Sequence, residues 1–157
     1  MTSILALAAH PDDEGAMLGT RAKYSLLSRK IVVAWATRGE RWLTPLGEYK
    51  SFLPWFLKRD KDQHQRKKIH DLIGRIRTRE VREVISYLKI KGCFLNFKDG
   101  AIPPPSDLGA LKKIIELIRY HRPRVVITHH FREAHVDHQN LSRLAFQAFY
   151  LSGNKGV

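Results

Sequence analysis

The sequence predicts an α/β domain of Rossmann-like three-layer architecture, with a mostly parallel sheet between helices. Short apolar runs of strand length, such as ILALAA near the start and VVIT near the end, alternate with longer stretches of helical periodicity. A strand, a helix and a second strand follow one another within residues 4–37, as in a βαβ unit with parallel strands. With 157 residues, the chain has the size of one domain with its own core.

The remaining elements follow from periodicity and from turn residues. The predicted strands span residues 4–9, 31–37, 93–97 and 124–130, and the predicted helices span residues 14–30, 69–92, 108–121 and 139–151. We expect Gly92 to close the second helix and Asp107 or Ser106 to cap the third. Residues 38–67 contain several Gly and Pro breakers, and we predict a long loop insertion there within a single domain covering residues 1–157.

The chain carries a formal net charge of +13, with 28 Lys and Arg against 15 Asp and Glu. Such a field attracts anionic lipid, acidic substrates or nucleic acid, but a solvated helix face also explains the basic tract over residues 56–82. Cys93 is the one cysteine, which excludes an intrachain disulfide framework, and no apolar segment has transmembrane length. We therefore expect a cytoplasmic protein, with peripheral contact to a membrane as an alternative.

Polar clusters follow three of the four predicted strands. AHPDDE follows the first strand, ATRGE follows the second and THHFREAHVDH follows the fourth. Because ligands bind beyond the carboxyl ends of parallel strands, we expect these clusters to share one edge of the sheet.

Residue types within these clusters predict a metal site. Three consecutive acids, Asp12, Asp13 and Glu14, repel one another unless water or a cation compensates them. His10, Asp13 and His138, named here the metal set, offer the three protein donors of a hydrolytic site with an open position. Taken alone, HPDD could be a helix N-cap and HVDH a solvated turn, but their common edge favours a metal.

The motifs AHPDDE, TRGE, NFKDG and EAHVDH, with Arg77 and Glu80 between the second and third, resemble the PIG-L/LmbE-like family of zinc-dependent N-deacetylases. The resemblance extends over nearly the whole chain in the family's order. It implies removal of an acetyl group from a small-molecule amino-sugar conjugate of the N-acetylglucosamine type. It also implies Zn²⁺ as the cofactor, with Fe²⁺ as another divalent option.

The resemblance also implies roles for individual residues. The metal set would bind zinc, and Asp12 would act as the general base. His135 would stabilise the oxyanion or act as an acid, with Asp137 orienting it. Further candidates, expected to contact sugar hydroxyls or a phosphate, are Arg38, Glu40 and Arg77, and a surface ion pair is the alternative reading for each.

The chain departs from the family pattern at three places. Val136 stands where the family usually has proline, and Glu133 stands where it usually has aspartate. Family members usually continue for several tens of residues beyond the second motif. We therefore expect that the chain lacks the family's C-terminal portion, with a minimal family member as the alternative. The open sheet edge should make the chain less stable or more prone to associate into a homo-oligomer.

Two other classes of function remain open at this point. A basic binding protein for anionic lipid or nucleic acid could retain an idle metal site, and a metal-dependent phosphoesterase could use the same residue types. A protein that only binds would not require a complete set of metal ligands together with a base, so this set favours an enzyme. Nucleic acid is for the same reason a less favoured partner than a small-molecule substrate.

The basic, aromatic segment of residues 42–68 generates a first prediction. If it rests on an anionic surface, the protein should bind vesicles rich in acidic lipid with an affinity that falls steeply between low and physiological salt. Cosedimentation measures this, with vesicles of neutral lipid as the control. Binding that is independent of salt would contradict the electrostatic explanation.

Overall fold

The computed structural model describes residues 3–26, 30–41 and 63–153. The described strands are β1 (Ser3–Ala8), β2 (Lys30–Trp35), β3 (Lys91–Phe94) and β4 (Val125–Ile127). The described α-helices are α1 (Leu18–Leu26), α2 (Gln63–Leu88), α3 (Leu108–His121) and α4 (Val136–Ser152). A 3₁₀ turn, Asp13–Met17, leads into α1.

The four described strands form one parallel sheet in the order β3-β2-β1-β4. Ala6 in the centre of β1 pairs with Val33 of β2 on one side and with Ile127 of β4 on the other. The chain moves outward from β1 to β3 and then crosses to the opposite side of β1. The topological switch point therefore lies between β1 and β4, where ligands bind in open α/β sheets. The predicted α/β class with a parallel sheet is confirmed.

Both faces of the sheet are covered by helices. Leu5 and Leu7 of β1 belong to a buried cluster with Ile114 of α3 and Leu141 of α4. The alternate residues of β1 belong to a second cluster, which includes Val81 of α2. Burial on both faces explains why the strands read as continuous apolar runs, and each fully buried Leu contributes roughly 2 kcal/mol.

Gly92 has a different role from the one predicted. Helix α2 ends at Leu88, and Lys89 takes the left-handed conformation with φ of 48°. Gly92 lies in β3, where a Cβ atom would stand 2.6 Å from both Ile85 Cδ1 and Trp35 Cζ3. The prediction of a glycine cap was wrong. Glycine is needed at this position because the side chains of α2 and of the sheet leave no room for a Cβ atom.

The helix starts also refine the prediction. Helix α3 has the predicted bounds, and Asp107 is its N-cap, accepting a hydrogen bond from the Ala110 N–H at 2.9 Å. Helix α4 begins at Val136, three residues before the predicted start, with His135 as N-cap. The histidines of the HVDH motif therefore belong to a helix N-terminus and not to a free turn.

The predicted insertion at 38–67 lies largely outside the described residues, which leave out 42–62. At its far end, α2 begins already at Gln63. None of the described helices combines the length and the apolarity that crossing a membrane requires.

The packing of Gly92 generates a stability prediction. Gly92→Ala should lower the free energy of unfolding by roughly 1–3 kcal/mol, because the new methyl group enters an occupied space. Thermal melting measures the loss. The matched control is Gly19→Ala in α1, whose Cβ would meet no atom within 4 Å and which should leave stability equal or slightly higher. Equal melting of wild type and Gly92→Ala would refute the steric explanation.

Candidate metal centre

The metal set comes together at the carboxyl ends of β1 and β4. His10 and Asp13 lie in the turn that leaves β1, and His138 lies in the first turn of α4. The turn is closed by the Asp13 carboxylate, which accepts a hydrogen bond from the His10 backbone N–H at 2.7 Å. The spacing of the HPDD motif thus brings an imidazole and a carboxylate to the same side of the turn.

The three donor atoms have the spacing that one metal ion requires. His10 Nδ1 lies 3.2 Å from His138 Nε2. Asp13 Oδ2 lies 3.5 Å from His10 Nδ1 and 3.5 Å from His138 Nε2. A tetrahedral zinc ion with bonds of 2.0–2.1 Å separates neighbouring donor atoms by roughly 3.3 Å. The donor set therefore fits a small divalent cation.

His10 has carboxylates at both ring nitrogens. Its Nε2 atom lies 3.1 Å from Asp137 Oδ2 and 3.2 Å from Asp99 Oδ1, and these side chains are 2% and 8% exposed. Burial lowers the pKa of His10, but hydrogen bonds that the ring donates to the carboxylates of Asp13, Asp137 and Asp99 outweigh burial and raise this pKa to about 11. Three largely buried carboxylates around one imidazole require a positive charge, which a proton or a metal ion can supply.

The carboxylates around His10 are held in their ionised form. Burial raises the pKa of Asp13, but the contacts of its carboxylate with the imidazoles of His10 and His129 lower this pKa far below its ordinary value. Burial likewise raises the pKa values of Asp99 and Asp137, and the contact with His10 together with backbone N–H donors brings both below normal. Ionised carboxylates are the form that binds or supports a metal.

Two residues that were not predicted to belong to the site orient His138. Its Nδ1 lies 2.8 Å from Glu133 Oε2, and its ring stacks on His129 with centroids 3.9 Å apart. His129 Nε2 accepts the Ala9 backbone N–H at 3.0 Å, directly before His10. Burial lowers the pKa of His138, which favours the neutral ring whose Nε2 lone pair can bind a metal. Two features of the sequence could have pointed to these residues: the THH segment after β4, which contains His129, and the acidic side chain of Glu133 shortly before His138.

Asp12 stands apart from the metal set and faces the same cavity. Its carboxylate is 56% exposed, and its Oδ2 lies 3.1 Å from Arg77 Nη2 of α2. Burial and then the charge of Asp13 raise the pKa of Asp12, and Arg77 and His10 oppose this only in part. Its φ of 138° is rare for a residue other than glycine and costs on the order of 1–3 kcal/mol, which the surrounding turn must offset.

His135 borders the metal set as expected, whereas Asp137 has a different partner. The His135 ring centroid lies 4.9 Å from that of His10 and 4.8 Å from that of His138. The Asp137 carboxylate contacts His10 and accepts the backbone N–H groups of Gly100 at 2.7 Å and Ile102 at 3.0 Å. The Asp137 backbone N–H is the group that donates to His135 Nδ1, at 3.2 Å. The Asp137 carboxylate thus orients His10 and the Gly100 loop instead of the His135 ring.

The three predicted substrate contacts divide between two cavities. Arg77 lines the cavity of the metal set, which has a volume of about 670 Å³. Arg38 and Glu40 line a second cavity of about 520 Å³ beside α2, where Arg38 Nε and Nη2 donate to Asn96 Oδ1 at 3.1 and 3.0 Å. Glu40 Oε1 accepts the Asp99 backbone N–H at 2.9 Å. Glu40 is therefore engaged with the loop that carries Asp99.

Comparisons with known proteins relate the chain to one family and to several solved structures. A model of the PIG-L family, described as GlcNAc-PI de-N-acetylase, matches residues 5–149. Comparison with the curated proteins gives no match. Among solved structures, the conserved protein TT1542 from Thermus thermophilus is 26% identical with a TM-score of 0.70, and the match covers 99% of this chain and 59% of that chain.

Two further solved structures share the fold. GalB, the 4-carboxy-2-hydroxymuconate hydratase from Pseudomonas putida, is 22% identical with a TM-score of 0.75, covering 99% of this chain and 59% of that one. The N,N'-diacetylchitobiose deacetylase from Pyrococcus horikoshii is 23% identical with a TM-score of 0.74, covering 96% and 50%. The chain thus spans less than two thirds of each of these structures. Because the family model covers nearly all of its residues, the chain belongs to the PIG-L family.

Proposed function

We propose that the chain carries a metal-dependent hydrolase site that removes the acetyl group from an N-acetylglucosamine-type conjugate. The convergence of His10 Nδ1, Asp13 Oδ2 and His138 Nε2 within 3.5 Å of one another is the observation that carries the proposal. Membership of a family described as GlcNAc-PI de-N-acetylase supports the reaction class. The fold alone would not decide it, since one structural neighbour is a hydratase and another a deacetylase.

The metal set would hold the cation through two nitrogens and one oxygen. These donor types suit Zn²⁺ and also accept Fe²⁺. A bound ion would supply Lewis acidity, which lowers the pKa of water and polarises an amide carbonyl. With three protein donors, a position remains for water or substrate, as in catalytic sites and unlike closed structural ones.

Asp12 would be the general base. It lies beside the metal set in sequence and in the same cavity, so it can take a proton from the attacking water and later return it to the amine leaving group. The pKa of Asp12 is raised and therefore lies closer to neutral pH than that of an ordinary aspartate. A general base works best when its pKa is near the pH of the reaction. Arg77, at 3.1 Å, would hold the carboxylate in place.

His135 would stabilise the negative charge that develops on the carbonyl oxygen. Because its Nδ1 accepts the Asp137 backbone N–H, the proton of a neutral ring lies on Nε2 and is available to the substrate. A preorganised donor of this kind typically contributes about 3 kcal/mol or more to transition-state stabilisation. The helix N-cap therefore selects the useful tautomer of the ring.

The cavity has room for a small molecule and offers it several polar groups. Its volume of about 670 Å³ lies within the ordinary range for ligand sites, and carboxylates, imidazoles and the Arg77 guanidinium line it. These groups can donate to or accept from sugar hydroxyls. An amino-sugar conjugate is therefore the substrate class that we propose.

The metal set generates a binding prediction. Purified protein should bind about one Zn²⁺ per chain, and His138→Ala should weaken binding by more than roughly 100-fold, because two donors hold the ion poorly. Equilibrium dialysis with elemental analysis measures both. His121→Ala, at the end of α3, is the matched histidine control and should bind like wild type. Unchanged affinity in His138→Ala would remove the metal centre from consideration.

The role of Asp12 generates a kinetic prediction. Zinc-loaded Asp12→Asn should release acetate from N-acetylglucosamine conjugates at least roughly 100-fold more slowly than wild type while keeping its metal, since a base is lost and no ligand is. Loss of metal in this variant would show that the two aspartates have exchanged roles. Phosphate release from sugar phosphates, without acetate release, would instead identify a phosphoesterase.

A further inference from the structure

We infer that Asp99 is a positioning residue for the metal ligand His10, and that Glu40 and Arg41 hold Asp99 in place. The inference rests on the proposed metal centre and extends it to the loops that follow β2 and β3. It gives Glu40 a role different from the predicted contact with substrate.

The carboxylate of Asp99 is engaged at both oxygens. Oδ1 lies 3.2 Å from His10 Nε2, and the side chain is 8% exposed. Oδ2 accepts the Arg41 backbone N–H at 2.7 Å. The Arg41 contact therefore aims the other oxygen at the ring nitrogen that faces away from the metal set.

The backbone of the Asp99 turn is held from two sides. Glu40 Oε1 accepts the Asp99 N–H at 2.9 Å, and Arg41 Nη1 donates to the Asp99 carbonyl oxygen at 3.4 Å. Gly100, with φ of 71°, has its N–H on Asp137 Oδ2 at 2.7 Å. A Cβ at Gly100 would lie only 2.6 Å from Arg41 Nη1. The lack of a side chain at Gly100 therefore leaves room for the Arg41 guanidinium.

Both oxygens of Glu40 accept backbone N–H groups. Oε1 accepts from Asp99, and Oε2 accepts from Arg38 at 3.3 Å. A carboxylate used in this way links the loop after β2 to the loop after β3. Because Asp99 also contacts His10, the positions of these two loops determine how the His10 ring, just after β1, is held.

Asp99 and Asp137 act together on His10. Acceptors at the outer nitrogen of a metal-binding histidine fix its ring and raise its basicity, and losing one typically weakens metal binding by 10–100-fold. Asp137 also supports Gly100 and Ile102, so its removal would disturb the loop as well. Asp99 offers the cleaner test because its asparagine variant can still accept the Arg41 N–H.

The experiment measures metal affinity instead of turnover. Zn²⁺ affinity is determined by competition with a chromophoric chelator, and the visible spectrum of the Co²⁺-loaded protein reports the ligand geometry. Asp99→Asn should bind one ion roughly 10–100-fold more weakly and show an altered Co²⁺ spectrum. Glu40→Ala, which releases the turn, should shift both readouts in the same direction.

The matched control is Asp107→Asn, which makes the same chemical change at the N-cap of α3, where asparagine serves equally well. It should leave affinity and spectrum unchanged. Wild-type affinity and spectrum in Asp99→Asn would overturn the inference. If Asp99→Asn fails to fold, unchanged affinity in folded Glu40→Ala would overturn it instead.

The test separates this inference from the proposed reaction. One outcome is that the wild type binds Zn²⁺ and Asp99→Asn weakens that binding, without any release of acetate. This result would support the positioning role of Asp99 and would show that the proposed deacetylation is wrong. Absence of Zn²⁺ binding by the wild type would overturn the metal centre and the role of Asp99 together.

Discussion

The convergence of three carboxylates on the imidazole of His10 is the constraint on which the site depends. Asp13 approaches Nδ1, while Asp99 and Asp137 approach Nε2. Burying such charge without compensation costs several kcal/mol for each ion, so a cation must be present in the folded protein. In the metal-free chain, the raised pKa of His10 lets a proton take this role, which means that a metal and a proton compete for the same charged cluster.

The topology of the sheet explains how distant residues reach one point. With β1 between β2 and β4, the turn after β1 lies beside the segment that joins β4 to α4. The N-cap of α4 then places His135, Asp137 and His138 within a single turn. The loops after β2 and β3 reach the same ring from the other side through Glu40 and Asp99. Every described strand thus delivers a side chain to the site from its carboxyl end.

The sequence predicted the features that depend on local pattern. The fold class, the proximity of the three metal-set residues and the bounds of α3 all follow from periodicity, strand ends and motif spacing. Residues whose role depends on which loops meet were missed. Asp99 contacts a ligand far from it in sequence. His129 stacks on the His138 ring, and Glu133 pairs with the same ring across the N-terminus of α4. Motif spacing alone does not predict such contacts.

Misassigned residues show the same limit. Glycine is the residue type that often ends a helix, which is why Gly92 was predicted to be a cap. Its actual role is to leave room for the side chains of Ile85 and Trp35, which only the folded structure brings near it. Asp137 was expected to orient His135, its neighbour in sequence. In the folded chain its carboxylate turns towards His10 and the Gly100 loop, where it accepts the backbone N–H groups of Gly100 and of the buried Ile102.

The most direct measurement is anomalous X-ray scattering at the zinc edge from crystals of the zinc-loaded protein. We expect one strong peak within bonding distance, roughly 2.0–2.2 Å, of His10 Nδ1, Asp13 Oδ2 and His138 Nε2, with Asp99 and Asp137 remaining on His10 Nε2. A peak bound instead by Asp99 and Asp137, or a fully loaded crystal with no peak at His138, would contradict the proposed centre.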